Sequence, residues 1–134
     1  MVAAVCSWHE HHERAIQEIQ NRLDHRQRMV IAAPALIEAY SVLTRLPAPH
    51  RLSPDEALNI LEANFLRDVR LVALDAANYR ALLRGSPALG ISGGRVHDAV
   101  IATCARRAKT ETVLTFNDTH FIAFAGPDLK ILVP

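Results

Sequence analysis

The sequence predicts an α/β domain, a mostly parallel sheet flanked by helices, and three observations carry that prediction. Short apolar runs at residues 29–32, 70–74, 112–116 and 130–133 alternate with longer stretches of helical periodicity. The helical stretches carry start signals at their openings, including prolines at Pro34 and Pro54 where a missing N–H does no harm. Finally, 134 residues with half the chain hydrophobic and 22% charged suit one globular domain, residues 1–134, with a sizeable core and no repeat or linker.

Taken in order, Met1 to Cys6 is apolar from the first residue and reads as the middle of an element. The cluster His9-Glu10-His11-His12-Glu13 then opens a helix running to about Leu23, with Ala15, Ile16, Ile19 and Leu23 as its apolar stripe. Histidines so close in sequence do not share a face as ligands four apart do, so a solvated helix start outweighs a metal site. After the strand at 29–32, a helix from Ala35 to Leu46 presents Leu36, Ile37, Tyr40, Val42 and Leu43, with Glu38 as its only acid. An unpaired buried carboxylate is costly, so Glu38 asks for a cation, a hydrogen-bond set or a metal. The other reading is an edge residue facing water or an arginine.

Ser53-Pro54-Asp55-Glu56 has the form of a capping box, and the helix it starts buries Ala57, Leu58, Leu61 and Phe65. Asp75 caps a helix from Ala76 to Leu83. Four of the five glycines fall between Gly85 and Gly94, in a loop that matches neither the P-loop nor the dinucleotide fingerprint. That loop feeds Gly93-Gly94-Arg95-Val96-His97-Asp98-Ala99-Val100-Ile101-Ala102, a glycine turn entering an apolar helix. The helix closes on Arg106, Arg107 and Lys109, cations that suit its C-terminal dipole. Asp98 sits in its first turn. Locally, that acid is also accounted for by the helix dipole alone, with no catalytic role.

The totals exclude several classes. A net charge of +1 leaves no strong global field for nucleic acid, so any such binding uses a local patch. Thirteen of the fifteen basic residues are arginines, which suit bidentate phosphate contacts. Cys6 and Cys104 are far apart and form no metal-type pair. No run approaches the roughly 18 apolar residues of a membrane span, and no signal peptide is evident, so a soluble cytoplasmic protein is expected.

In open α/β sheets, ligands gather at the carboxyl ends of strands. Asp118 follows the strand at 112–116, Glu38 lies early in the helix after the strand at 29–32, and Asp98 joins them if its helix starts on the same side. Three converging carboxylates repel unless a cation lies between them, and hard oxygen ligands select Mg²⁺ or Mn²⁺. Such a site suits phosphodiester hydrolysis.

Three stretches together resemble the PIN-domain family, and more closely its VapC-type toxins of bacterial toxin–antitoxin pairs. They are Gly93 through Ala102, Pro34-Ala35-Leu36-Ile37-Glu38-Ala39, and Leu114-Thr115-Phe116-Asn117-Asp118-Thr119-His120-Phe121; the helix start His11-His12-Glu13-Arg14-Ala15 also fits. The resemblance implies a PIN-like three-layer fold and a Mg²⁺- or Mn²⁺-dependent endoribonuclease. It implies a homodimer whose cognate VapB-type antitoxin inserts its tail into the active site. By position, Glu38 and Asp98 would be catalytic metal-site acids, with Asp118 a further acid at a variable place. Thr115 and Asn117 would line the site, and Arg95 would be a weaker RNA contact.

The front of the chain departs from the pattern. Family members open with a central strand ending in a metal-binding Asp, followed by an apolar segment that Val2-Ala3-Ala4-Val5 resembles; here that strand and Asp are missing. The favoured expectation is that Met1 is an internal methionine of a longer natural protein. A truly short chain would instead be a weak or dead nuclease. The rival from another class is a non-catalytic PIN-like module that binds an antitoxin or RNA.

Overall fold

A computed structural model describes residues 1–134, as two compact units: Met1–Leu71 and Val72–Pro134. The first unit begins with a one-turn helix, α1 (Val2–Val5), whose Ala3 and Ala4 are buried. It packs on α2 (His12–Asp24), and the His12 imidazole Nδ1 donates to the Ala3 carbonyl at 2.9 Å. The helix thus starts three residues later than its histidine-rich opening suggests. Residues 9–11 are spent on hydrogen-bonded turns, with His9 N–H on the Cys6 carbonyl and His12 N–H on the His9 carbonyl. Of its expected apolar stripe only Ala15 is buried, while Ile16 and Leu23 are largely exposed.

β1 (Val30–Ala32) leads directly into α3 (Ala33–Arg45), with Pro34 in the first turn. Leu36, Ala39 and Leu43 recur at helical spacing and form its buried side, Leu43 being wholly enclosed. α4 (Pro54–Leu61) packs against α3 and buries Ala57 and Leu61. Its capping box is complete: the Ser53 hydroxyl accepts from Glu56 N–H, and the Glu56 carboxylate accepts from Ser53 N–H at 2.8 Å. Those bonds, the backbone one first, hold the Glu56 carboxyl below its usual range. Leu58, expected inside, is exposed because the buried side runs through Ala57, Leu61 and Phe65. A π-helical turn, Glu62–Leu66, carries Phe65 inward. β2 (Arg70–Val72) pairs with β1 in a two-stranded sheet as the first unit ends.

In the second unit Asp75 caps α5 (Ala76–Gly85), accepting the Asn78 N–H at 2.8 Å. α6 (Arg95–Arg107) packs against α5 and buries Ala99, Val100, Ala102, Cys104 and Ala105. β3 (Thr112–Leu114) and β4 (Lys130–Leu132) run parallel, with Thr112 opposite Lys130 and Leu114 opposite Leu132. Between them lie α7 (Asp118–Phe121) and a 3₁₀ turn, Ile122–Phe124. The core here is Ala99, Ala102, Phe121 and Phe124, with Val113 and Ile131 packed on it and the two phenyl rings edge to face. Small residues on α6 let these rings approach the helix closely. The strands therefore stand in two two-stranded sheets, β1–β2 and β3–β4. No helix is long and apolar enough to cross a membrane.

Candidate active site

The helix that carries Asp98 is sharply defined at both ends. Gly93 adopts φ +54°, a left-handed conformation that side chains resist, and this turns the loop sharply into α6. Gly94 has ordinary helical angles, so only the first glycine of the pair is conformationally required. The far end of α6 is closed by a Schellman motif, with Lys109 N–H on the Arg106 carbonyl and Thr110 N–H on the Ala105 carbonyl. Lys109 itself sits at φ +57°, where glycine is usual.

Within the first turn of α6, the Asp98 side chain is only 16% exposed. Its Oδ2 accepts from His120 Nδ1 at 3.2 Å. A carboxylate only accepts, so this contact places the imidazole proton on Nδ1 and leaves Nε2 free to face solvent. His120 reaches Asp98 because Phe121, the next residue, is buried against Ala99 and Ala102 on the same helix. Core packing of one residue thus aims its neighbour. Sequence reasoning missed this partner. The available signal was a histidine beside a large apolar residue on one short helical turn.

The Asn117-Asp118 turn follows β3 closely. Asn117 N–H bonds the Thr115 hydroxyl at 3.0 Å, and the Asp118 carboxylate accepts from Thr119 N–H at 2.8 Å. Thr115 therefore acts on the backbone of the turn. Asn117 and Asp118 are both exposed, and Asp118 is the first residue of α7. Arg95, the first residue of α6, is partly buried.

Glu38 lies in the other unit, in the second turn of α3, and is exposed, as is Ile37 beside it. The burial cost argued from its apolar neighbours does not apply. Those neighbours divide between the buried side and an open one, and Glu38 stands on the open one. Among the histidines near the N-terminus, His9 Nδ1 accepts the His11 N–H and His12 bonds the Ala3 carbonyl, so they build the α1–α2 turn. No three His, Cys, Asp or Glu side chains in either unit gather into a metal-holding group. What the second unit offers a cation is hard oxygen: the ordered Asp98 carboxylate and the exposed Asp118 carboxylate. That donor chemistry fits Mg²⁺ or Mn²⁺ and not a soft metal. The open grooves on the two units, along α2 and beside Arg106 and Lys130, hold none of these acids.

Comparison with known proteins bears on this arrangement. The PIN domain family matches residues 1–127. Over 112 residues the chain is 38% identical to Ribonuclease VapC40 of Mycobacterium tuberculosis, strains H37Rv and CDC 1551 alike, covering 81% of this chain and 75% of the relative. It is 33% identical over 109 residues to Ribonuclease VapC27 of strain H37Rv, covering 81% of this chain and 66% of that protein.

Proposed function

The chain belongs to the PIN domain family, and we propose that it is a metal-dependent endoribonuclease, the toxin of a toxin–antitoxin pair, hydrolysing phosphodiester bonds in RNA. Residues 1–134 act as one PIN-like domain, in the cytoplasm, as a homodimer restrained by a VapB-type antitoxin. Two relatives named as VapC ribonucleases support the activity class. The observation that carries the site assignment is the Asp98–His120 contact at the start of a buried helix.

Glu38, Asp98 and Asp118 are the acids that would hold Mg²⁺ or Mn²⁺. When bound, such an ion supplies an activated water and neutralises charge on the phosphate. The chain's own groups do the rest. His120 fixes one Asp98 oxygen through Nδ1–H, so the carboxylate presents a set orientation instead of swinging through rotamers. Thr115 fastens the backbone of the Asn117-Asp118 turn, which keeps Asn117 and Asp118 at the end of β3. Arg95, leading into Asp98, supplies a guanidinium for RNA phosphate.

The test is to incubate the chain with structured RNA in Mn²⁺, with EDTA and Asp98→Ala as controls. Cleavage that EDTA abolishes and Asp98→Ala removes is the expected result. A second reading, a non-catalytic module that binds RNA or an antitoxin, is favoured by one observation: no three-donor group is preassembled in either unit. RNA or antitoxin binding without cleavage under any divalent ion would select it.

A further inference from the structure

We propose that the stacked rings of Trp8 and His50 form a platform for a base of single-stranded RNA. The proposal rests on the ribonuclease reading above.

Trp8 is the only tryptophan in the chain, yet it is 46% exposed in the turn between α1 and α2. A ring of this size is ordinarily carried into the core, and leaving half of it in water forfeits burial energy. One neighbour is the His50 imidazole, stacked on it with centroids 4.1 Å apart and planes at 28°. His9 lies 6.0 Å from it on a tilted plane, and His11 lies 5.5 Å beyond His9. Four rings thus form a row on the first unit.

Both loops that carry the row are tied down. Cys6, buried at the end of α1, accepts the His9 N–H at 2.9 Å, and His9 Nδ1 accepts the His11 N–H at 3.1 Å. On the other side, His50 N–H bonds the Pro47 carbonyl at 3.0 Å. The platform is therefore preformed and costs little ordering on binding.

The chemistry of the row favours a nucleobase. Flat π faces stack on any base, and imidazole edges add hydrogen-bonding nitrogens, whereas a docking protein helix wants aliphatic knobs. Arg51, next to His50, is exposed; its Nε is anchored on the Leu46 carbonyl at 2.8 Å, leaving the Nη nitrogens for a phosphate. The acid in the row, Glu10, is engaged with His11 Nε2 at 3.5 Å.

The single tryptophan makes the test direct. The full chain carrying Asp98→Asn is titrated in EDTA with single-stranded oligouridylate and oligoadenylate and with duplex RNA, so binding is read without cleavage. Trp8 fluorescence is expected to be quenched by the single strands and not by the duplex. Trp8→Ala is expected to raise Kd for labelled single strand about tenfold, with Trp8→Phe recovering most of the loss. His50→Ala keeps the reporter ring and is expected to weaken both quenching and binding. Single-strand binding that leaves Trp8 fluorescence and the Trp8→Ala affinity unchanged would overturn the platform, as would no binding at all. A fluorescence change that follows protein concentration and ignores RNA would assign the rings to a second copy instead. Because cleavage plays no part, failure of the nuclease reading would show separately, as binding with quenching but no metal-dependent cutting in the unsubstituted chain.

Discussion

α3 and α6 are both thirteen residues long, each carries one candidate acid, and they treat that acid in opposite ways. On α6 the acid is in the first turn, mostly enclosed and held by His120. On α3 the acid comes later, exposed, with no hydrogen bond or ion pair. The difference lies in what the helix is packed against. Phe121 seated on the small residues of α6 delivers His120 to Asp98, whereas the buried side of α3, Leu36, Ala39 and Leu43, turns away from Glu38. An acid becomes ordered when the core on its own side of the helix delivers a partner. Spacing within the helix does not decide it.

Removing the charge of the held acid should have the greatest consequence. Asp98→Asn should lower the rate of RNA cleavage by roughly 10³-fold, since charge supplied to a metal site is worth several kcal/mol. Circular dichroism should show the fold retained. Glu38→Gln, at the open end, should also cut activity severely, and thermal melts should place its stability within about 0.5 kcal/mol of the parent because nothing folds around that side chain. If Glu38→Gln cuts RNA as fast as the parent, the acid on α3 has no part in the site.

His120 is what separates the two acids. His120→Ala frees the Asp98 carboxylate, and cleavage should fall about 10- to 100-fold, the usual cost of losing a group that orients a metal-binding residue. His120→Asn, whose amide can donate from nearly the place of Nδ1, should recover part of that loss. A purely structural histidine would give no such rescue.

The helix ends give the smallest effects. Gly93→Ala should destabilise by about 1–2 kcal/mol, because alanine is strained at positive φ although nothing crowds the added carbon. Gly94→Ala, at ordinary angles, should change stability by less than about 0.5 kcal/mol. Lys109→Gly should stabilise by up to about 1 kcal/mol at the other end of the same helix, by relieving its left-handed strain. Chemical denaturation of the three variants ranks them.

The sequence was most legible where local physics acts alone. The Ser53–Glu56 box, the Asp75 cap, Pro34 in the first turn of α3 and the glycine turn into α6 all stand where their residue types demanded. The alternation of strands and helices was legible too, and the family match bears out the fold. Burial was less so. Ile16, Leu23 and Leu58 fit an apolar stripe yet face outward, because which part of a stripe is covered depends on the packing partner. For the same reason the apolar neighbours of Glu38 leave both an enclosed acid and an edge residue open, and the packing of α3 selects the edge residue. The Asp98–His120 contact spans 22 positions, and no periodicity within either segment reports it. The Trp8–His50 stack joins two loops, which have no repeat pattern to read.

The proposed function makes the Asp98 carboxylate, held by His120 at the start of α6, a ligand of the divalent ion. A Mn²⁺ titration followed by electron paramagnetic resonance, without RNA, compares the unsubstituted chain with Asp98→Asn. The unsubstituted chain should draw down the free Mn²⁺ signal, and Asp98→Asn should lose most of that binding. Equal binding by the two proteins would remove Asp98 from the metal site.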